Sequence, residues 1–379
     1  MRLLAAEAVN LEAALAGASV VVQEWDWSRF AVLDVFQAAP RNGGQVELLQ
    51  DTQSKELLVA KVMPLCWTCG DHEKFVEMYP EETEMPWRDV CVTQYLDQRL
   101  GEPHVCKFFG IFRRSSKGQD AGGGGPCDAP QDSSGEHAEE GEHCLVLSYC
   151  RGGDLFTWLE RSRSIDVVAS REQLARPLIH ETLRAASSVH RLGVSHGDLS
   201  LENILLFSEK AQLPPDIRLV DFACACGPRA CGPRGKSPYQ APEMHCSDGY
   251  CTVAADVFAL GVVVFALVVG NYPWKSTKPN TCQFFRYFKE FGLQAFLVRR
   301  RVKTQLSGLQ PLSVVLSHEV IDLLQGLLCV DPLMRMQIPT ALEHEWFQQV
   351  TVMPRNPSQS HIDESEFLFS IVRTPLQAN

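Results

Sequence analysis

The chain is short of positive charge. Lys and Arg number 35 against 46 Asp and Glu, for a formal net charge of −11. A nucleic-acid binder needs a basic surface to meet the phosphate backbone, so the charge argues against that class. The one dense basic run, Arg299-Arg300-Arg301-Val302-Lys303, has the composition of a solvated turn. Long apolar runs are missing too. The longest, Val257 to Val269, is about 13 residues where a membrane-spanning helix needs about 20, and it is expected as a buried helix. The opening MRLLAAEAVNLEAALAG makes a poor secretory leader. Glu7 and Glu12 interrupt its apolar run and Arg2 is its only basic residue, so its Leu and Ala periodicity predicts a short helix instead. The 14 cysteines form no framework: Cys66 and Cys69 make a C-x-x-C without a second pair, and Cys224, Cys226 and Cys231 lie close together. A zinc site needs two well-spaced pairs with nearby His, so these are expected as free thiols of a reducing, cytoplasmic or nuclear compartment. No internal repeat is present.

What is there is a change of pattern along the chain. Residues 30 to 63 alternate apolar and polar side chains around turn residues Pro40, Asn42, Gly43 and Gly44, which predicts strands, the third of them Leu57 to Val62. Val90, Thr93, Leu96 and Leu100 stand at helical spacing after Pro86. Residues 105–112 and 144–149 are expected as two more strands. Between them, residues 115–142 are acidic and Gly-rich with almost no hydrophobes, the composition of a disordered hairpin insertion. From about residue 154 helical periodicity takes over, over 154–163, 171–193, 253–270, 281–291, 317–328 and 339–348. A β-rich part is therefore followed by an α-rich part.

Three polar features stand out against this background. Lys61 lies inside an apolar strand, where Lys is rarely buried without a partner. His196-Gly197-Asp198-Leu199-Ser200-Leu201-Glu202-Asn203 precedes the apolar Ile204-Leu205-Leu206, and Arg218-Leu219-Val220-Asp221-Phe222-Ala223 is a short strand ending in an acid. Two acids and an Asn at strand ends suit magnesium, a hard cation that takes few carboxylates and completes its shell with phosphate oxygens.

With Lys61 upstream of these motifs, and Ala241-Pro242-Glu243, the helix start Asp256-Val257-Phe258-Ala259-Leu260-Gly261 and Arg335 downstream, the chain resembles the eukaryotic-type protein kinases over about residues 30 to 348. Small-molecule phosphotransferases share the Lys, the HGD and the second Asp, but not the last three features. The resemblance implies an α+β bilobal fold: a five-stranded antiparallel sheet with one helix (lobe 30–149) and a mostly helical lobe (150–348), with ATP between them. Residues 1–29 would be an extension and 349–379 a tail. It also implies Mg-ATP-dependent phosphorylation of Ser or Thr on protein substrates, with Asp198 as catalytic base, Asn203 and Asp221 on magnesium, and Lys61 on the α- and β-phosphates. Val46, Ala60 and Leu205 would enclose adenine, with Ala38 also against the nucleotide. Leu147 resembles the gatekeeper, Ser148, Tyr149 and Cys150 the hinge, and Asp154 would reach the ribose. His196 and Phe222 resemble packed spine residues. Glu243 and Arg335 would form a buried ion pair that holds the peptide-docking segment.

The departures matter as much. The three loop glycines fall at Ala39, Arg41 and Gly44, so only the last is kept, as in several protist kinases. The glutamate that should pair with Lys61 falls near Val92 or Thr93, and Asp89, one turn earlier, is the candidate in its place. Gly197 replaces the Arg that binds a phosphorylated activation loop, so loop phosphorylation is not expected as the main switch. Ala223 replaces the last glycine of the metal motif. Ser200 stands where the family has a lysine that neutralises the transferred phosphate. Lys236, before Ser237-Pro238-Tyr239, is the candidate source of that charge; the alternative is a solvent-facing lysine. A binding or scaffolding module that has lost catalysis is the competing functional class.

Overall fold

The computed structural model describes residues 20–39, 43–101, 103–115, 141–162, 168–208, 214–304 and 308–348. The expected N-terminal helix, residues 116–140 of the insertion and the 349–379 tail lie outside them. The chain divides into two compact units. One runs up to Tyr149 and includes Phe222–Cys224; the other takes Cys150–Asp221 and the chain from Ala225 onward.

The first unit is built on a sheet of β1 (Val22–Glu24), β2 (Phe30–Ala39), β3 (Gly44–Asp51), β4 (Leu57–Pro64), β5 (Phe108–Arg114) and β6 (Glu142–Ser148). Across the sheet β1 lies beside β5, followed by β6, β4, β3 and β2. The five-strand expectation is corrected to six. The added strand β1 comes from the segment read as an extension and pairs parallel with β5, Val22 opposite Ile111. All three of its residues are exposed, so no alternation marks it as a strand. Glu142, expected in the insertion, instead opens β6. One sheet face carries Trp25, Phe30, Leu49, Leu58, Ala60, Val62, Phe112, Cys144 and Val146 as a contiguous core. Glu47 interrupts that apolar logic as a buried carboxylate, and Arg114 resolves it with a bidentate pair of 2.7 and 2.8 Å while also bonding Glu142.

Besides the single helical turn Leu65–Thr68, two longer helices complete this unit among the described residues. In α1 (His72–Met78) the Asp71 side chain caps the start by accepting from Lys74 N. In α2 (Pro86–Leu100) proline occupies the first turn, where its missing N–H costs nothing. Trp87, Val90, Val92 and Leu96 form the buried stripe of α2.

The second unit is mostly helical: α3 (Leu155–Ser162), α4 (Val168–Arg191), α5 (Thr252–Val269), α6 (Gln283–Arg299) and α7 (His318–Leu327). α5 matches the helix expected over 253–270 and adds one turn before the apolar run that begins at Val257. Its 18 residues are long and apolar enough to cross a membrane, yet 83% of them are buried within the protein, where it packs against α4 and α7. α6 was expected to stop at 291. It continues to Arg299 because Gly292, at φ 78°, turns the chain and a second helical stretch follows. A short antiparallel ribbon, β7 (Ile204–Leu206) with β8 (Ile217–Leu219), carries the two acidic motifs at its ends.

Candidate active site

In the helical unit the loop after α4 is fixed before any ligand is considered. Asp256, 2% exposed in α5, accepts from His196 N (2.7 Å), Gly197 N (3.0 Å) and His190 Nε2 (2.8 Å). His196 adds a second restraint. Its Nε2 donates to Val220 O at 3.0 Å and its Nδ1 accepts from Asp198 N at 3.3 Å, which ties the loop to the end of β8. Asp198 therefore projects from a loop held by its own backbone.

The Asp198 carboxylate has a partner on each oxygen. Oδ1 accepts from Lys236 N at 2.8 Å, and Oδ2 accepts from Asn203 Nδ2 at 3.0 Å; that same nitrogen also reaches Asp198 O at 2.8 Å. Lys236 comes this close because residue 235 is glycine: with φ 68°, a Cβ there would stand 2.5 Å from Asp198 Oδ1. Burial pushes the Asp198 carboxyl above the usual carboxylate range, and neighbouring Asp221 adds to the rise. Lys236 and its backbone N–H pull the other way. Asp221 sits in the left-handed region at φ 67°, a conformation that Asp tolerates better than most residues.

These groups fit a magnesium ion. Asn203 turns its amide nitrogen to Asp198, which leaves its Oδ1 as the donor for a cation, and Asp221 lies close enough to act on Asp198 electrostatically. One carboxylate and one amide oxygen suit a cation that keeps water and phosphate in the rest of its shell. Among the described residues no group of three or more His, Cys, Asp or Glu side chains forms an all-protein metal cage.

The other residues expected to line the site in this unit fall around the same ribbon. Leu205 lies in β7, opposite Arg218, and Asp154 bridges to it through the backbone. Cys150 is buried. Asp154 uses both carboxylate oxygens on Thr157, accepting from its N at 2.6 Å and its Oγ1 at 3.1 Å. Asp154, the residue expected on a ribose, also caps the start of α3. Ser200 is fully buried, and Lys236 Nζ donates to its Oγ at 2.8 Å while lying 3.4 Å from Glu202 Oε2. Lys236 does not simply face solvent. The segment that follows is anchored by the ion pair that the family resemblance implied: Arg335, whose side chain is 1% exposed, grips both oxygens of Glu243 and also donates to Ala254 O and Cys329 O.

In the sheet unit, Val46 stands opposite Lys61, Ala60 opposite Val146 and Leu147 opposite Val59, which groups these residues on adjacent strands. Ala38 lies on β2 opposite Gln45, and Phe36 two residues earlier stacks on Tyr149 with ring centres 5.7 Å apart. Pro40–Asn42, and with them Arg41 of the expected loop, lie outside the described residues, while Gly44 begins β3. The partner of Lys61 is Asp89: Nζ to Oδ2 is 2.8 Å, and Asp89 is 1% exposed. The positions expected from helical phase, Val92 and Thr93, are ordinary buried residues of α2. Asp89 also makes a contact that nothing local in its segment signals. Its Oδ1 accepts from Phe222 N at 2.8 Å, and Met85 N, just before α2, donates to Ala223 O at 3.0 Å. The segment after Asp221 is bonded twice to the start of α2.

A family model described as the protein kinase domain matches residues 80–347. The serine/threonine-protein kinase kin-29 of Caenorhabditis elegans is 30% identical over 207 residues, covering 53% of this chain and 22% of that protein. The kinases cds1 and chk1 of Schizosaccharomyces pombe are 27% identical over 237 residues and 28% over 214, covering 60% and 55% of this chain. The chain spans less than half the length of these relatives, 46% at most. With the family model matching most of the chain, the chain belongs to the protein kinase domain family.

Proposed function

We propose that the chain transfers the γ-phosphoryl group of ATP to Ser or Thr hydroxyls of protein substrates. The observation that carries this reading is the hydrogen-bonded pair of Asp198 and Asn203, which presents a partly desolvated carboxylate beside a hard oxygen donor. Asp198 accepts the proton of the attacking hydroxyl; its raised pKa makes it a better base than a solvated carboxylate. Lys61, oriented by Asp89, contacts the α- and β-phosphates. Magnesium, when bound to Asn203 and Asp221, would neutralise phosphate charge. In the sheet unit Val46, Ala60 and Ala38, with Leu147 and Tyr149, are the candidate adenine contacts; in the helical unit the candidates are Leu205 and Cys150. Catalysis is then mostly positioning plus electrostatics, as phosphoryl transfer requires. The serine/threonine specificity named for the relatives supports the choice of acceptor.

The test is a Mg-ATP autophosphorylation assay of wild type beside Asp198→Asn and Asp221→Asn. Loss of about 100-fold or more in each variant is the expected result. Activity that persists in both overturns the assignment. An inactive wild type whose melting temperature still rises with ATP makes the chain a nucleotide-binding module without catalysis.

A further inference from the structure

Phosphoryl transfer concentrates negative charge on the oxygens of the moving group, and a fixed cation near the catalytic base lowers the barrier. In the helical unit the residues around Asp198 place one. Lys236 is held to the site at both ends. Its backbone N–H bonds Asp198 Oδ1 at 2.8 Å, so its main chain cannot drift from the base. Its ammonium is drawn back over the catalytic loop to Ser200 Oγ at 2.8 Å and toward Glu202 Oε2 at 3.4 Å. An ammonium has three donors; Ser200 takes one, and Glu202 adds an ion-pair contact without a hydrogen bond. Ser200 is entirely buried, so its hydroxyl is a fixed acceptor. The Lys236 side chain stays 40% exposed, so the held ammonium is open to a ligand.

We propose that Lys236 is a catalytic residue that donates a hydrogen bond to the transferring phosphoryl group, with Ser200 and Glu202 as positioning residues that hold its ammonium. In the step, the acceptor oxygen bonds to the γ-phosphorus as the bond to the β–γ bridging oxygen breaks. The acceptor proton passes to Asp198, the bridging oxygen leaves with ADP, and Lys236 remains protonated throughout. The inference rests on the phosphotransfer reading above and deepens it.

The test moves the charge. The full chain is assayed for transfer from Mg-ATP to a degenerate Ser/Thr peptide mixture. Lys236→Met keeps the aliphatic stem and drops the charge; kcat is expected to fall about 100-fold with KM for ATP within about threefold of wild type. Lys236→Arg keeps a cation and should retain at least tenfold more activity than Lys236→Met. The double variant Lys236→Met/Ser200→Lys returns an ammonium from the opposite side and should recover at least about tenfold, a gain that a purely structural lysine would not produce. A Lys236→Met enzyme within about threefold of wild type overturns the proposal, as does failure of both Lys236→Arg and the double variant to exceed Lys236→Met. An inactive wild type overturns the phosphotransfer reading together with this one, so the two failures are distinguishable.

Discussion

At Asp89 a carboxylate one methylene shorter than glutamate serves two donors at once. One oxygen takes the Lys61 ammonium and the other the Phe222 amide, and both bonds are 2.8 Å. Because Asp89 is almost completely buried, removing its charge leaves both donors without an acceptor of equal strength. Asp89→Asn is expected to lower kcat/KM for ATP by about tenfold to 100-fold, with a fall in melting temperature of a few degrees. Near-wild-type kinetics in that variant would remove Asp89 from the site. The residue scale is also where the sequence was most and least informative. Lys61, Asp198, Asn203 and Asp221 announce themselves because each is a polar residue in a short, apolar, nearly contiguous motif. Asp89 could only be offered as a candidate, since its partnership depends on how deep the first turn of α2 sits, and helical phase alone pointed to Val92 or Thr93. The His190–Asp256 bond joins residues 66 positions apart, and nothing local in either segment signals it.

At the scale of elements, the short turn Pro242–His245 is held less by its own bonds than by Arg335, 92 residues away from Glu243. The Arg335 side chain is 1% exposed and that of Glu243 11%, so breaking the pair from one side strands a charge in the interior. Arg335→Met is expected to cost about 3–5 kcal/mol in urea unfolding, and Arg335→Met/Glu243→Met to recover a part of it. A loss under about 1 kcal/mol in the single variant would show that the docking segment is anchored by other contacts. Here the family resemblance carried the expectation, because two charged residues 92 positions apart show no local sign of pairing. Strand β1 is the opposite case: three exposed residues gain their place from pairing with β5, a non-local event that leaves no period in the sequence. The length of α6 was missed for a related reason, since Gly292 looks like a helix stop and is a kink.

At the scale of the whole molecule, two compact units are continuous through Tyr149 and Cys150, but the division is not a single cut. Phe222–Cys224 packs with the sheet unit although both of its flanks belong to the helical one. The bonds responsible are those from Phe222 N to Asp89 and from Met85 N to Ala223 O. Their consequence can be read with a deuterium clock. An amide exchanges only when the structure that protects it opens, so the Phe222 amide should become labelled on the timescale of the first turn of α2, not on that of its chain neighbours in β8. In Asp89→Asn, exchange at Phe222 should accelerate while the β8 amides keep their rate. Phe222 labelling in step with Leu219 in both proteins would mean that this three-residue graft opens with the chain on either side of it.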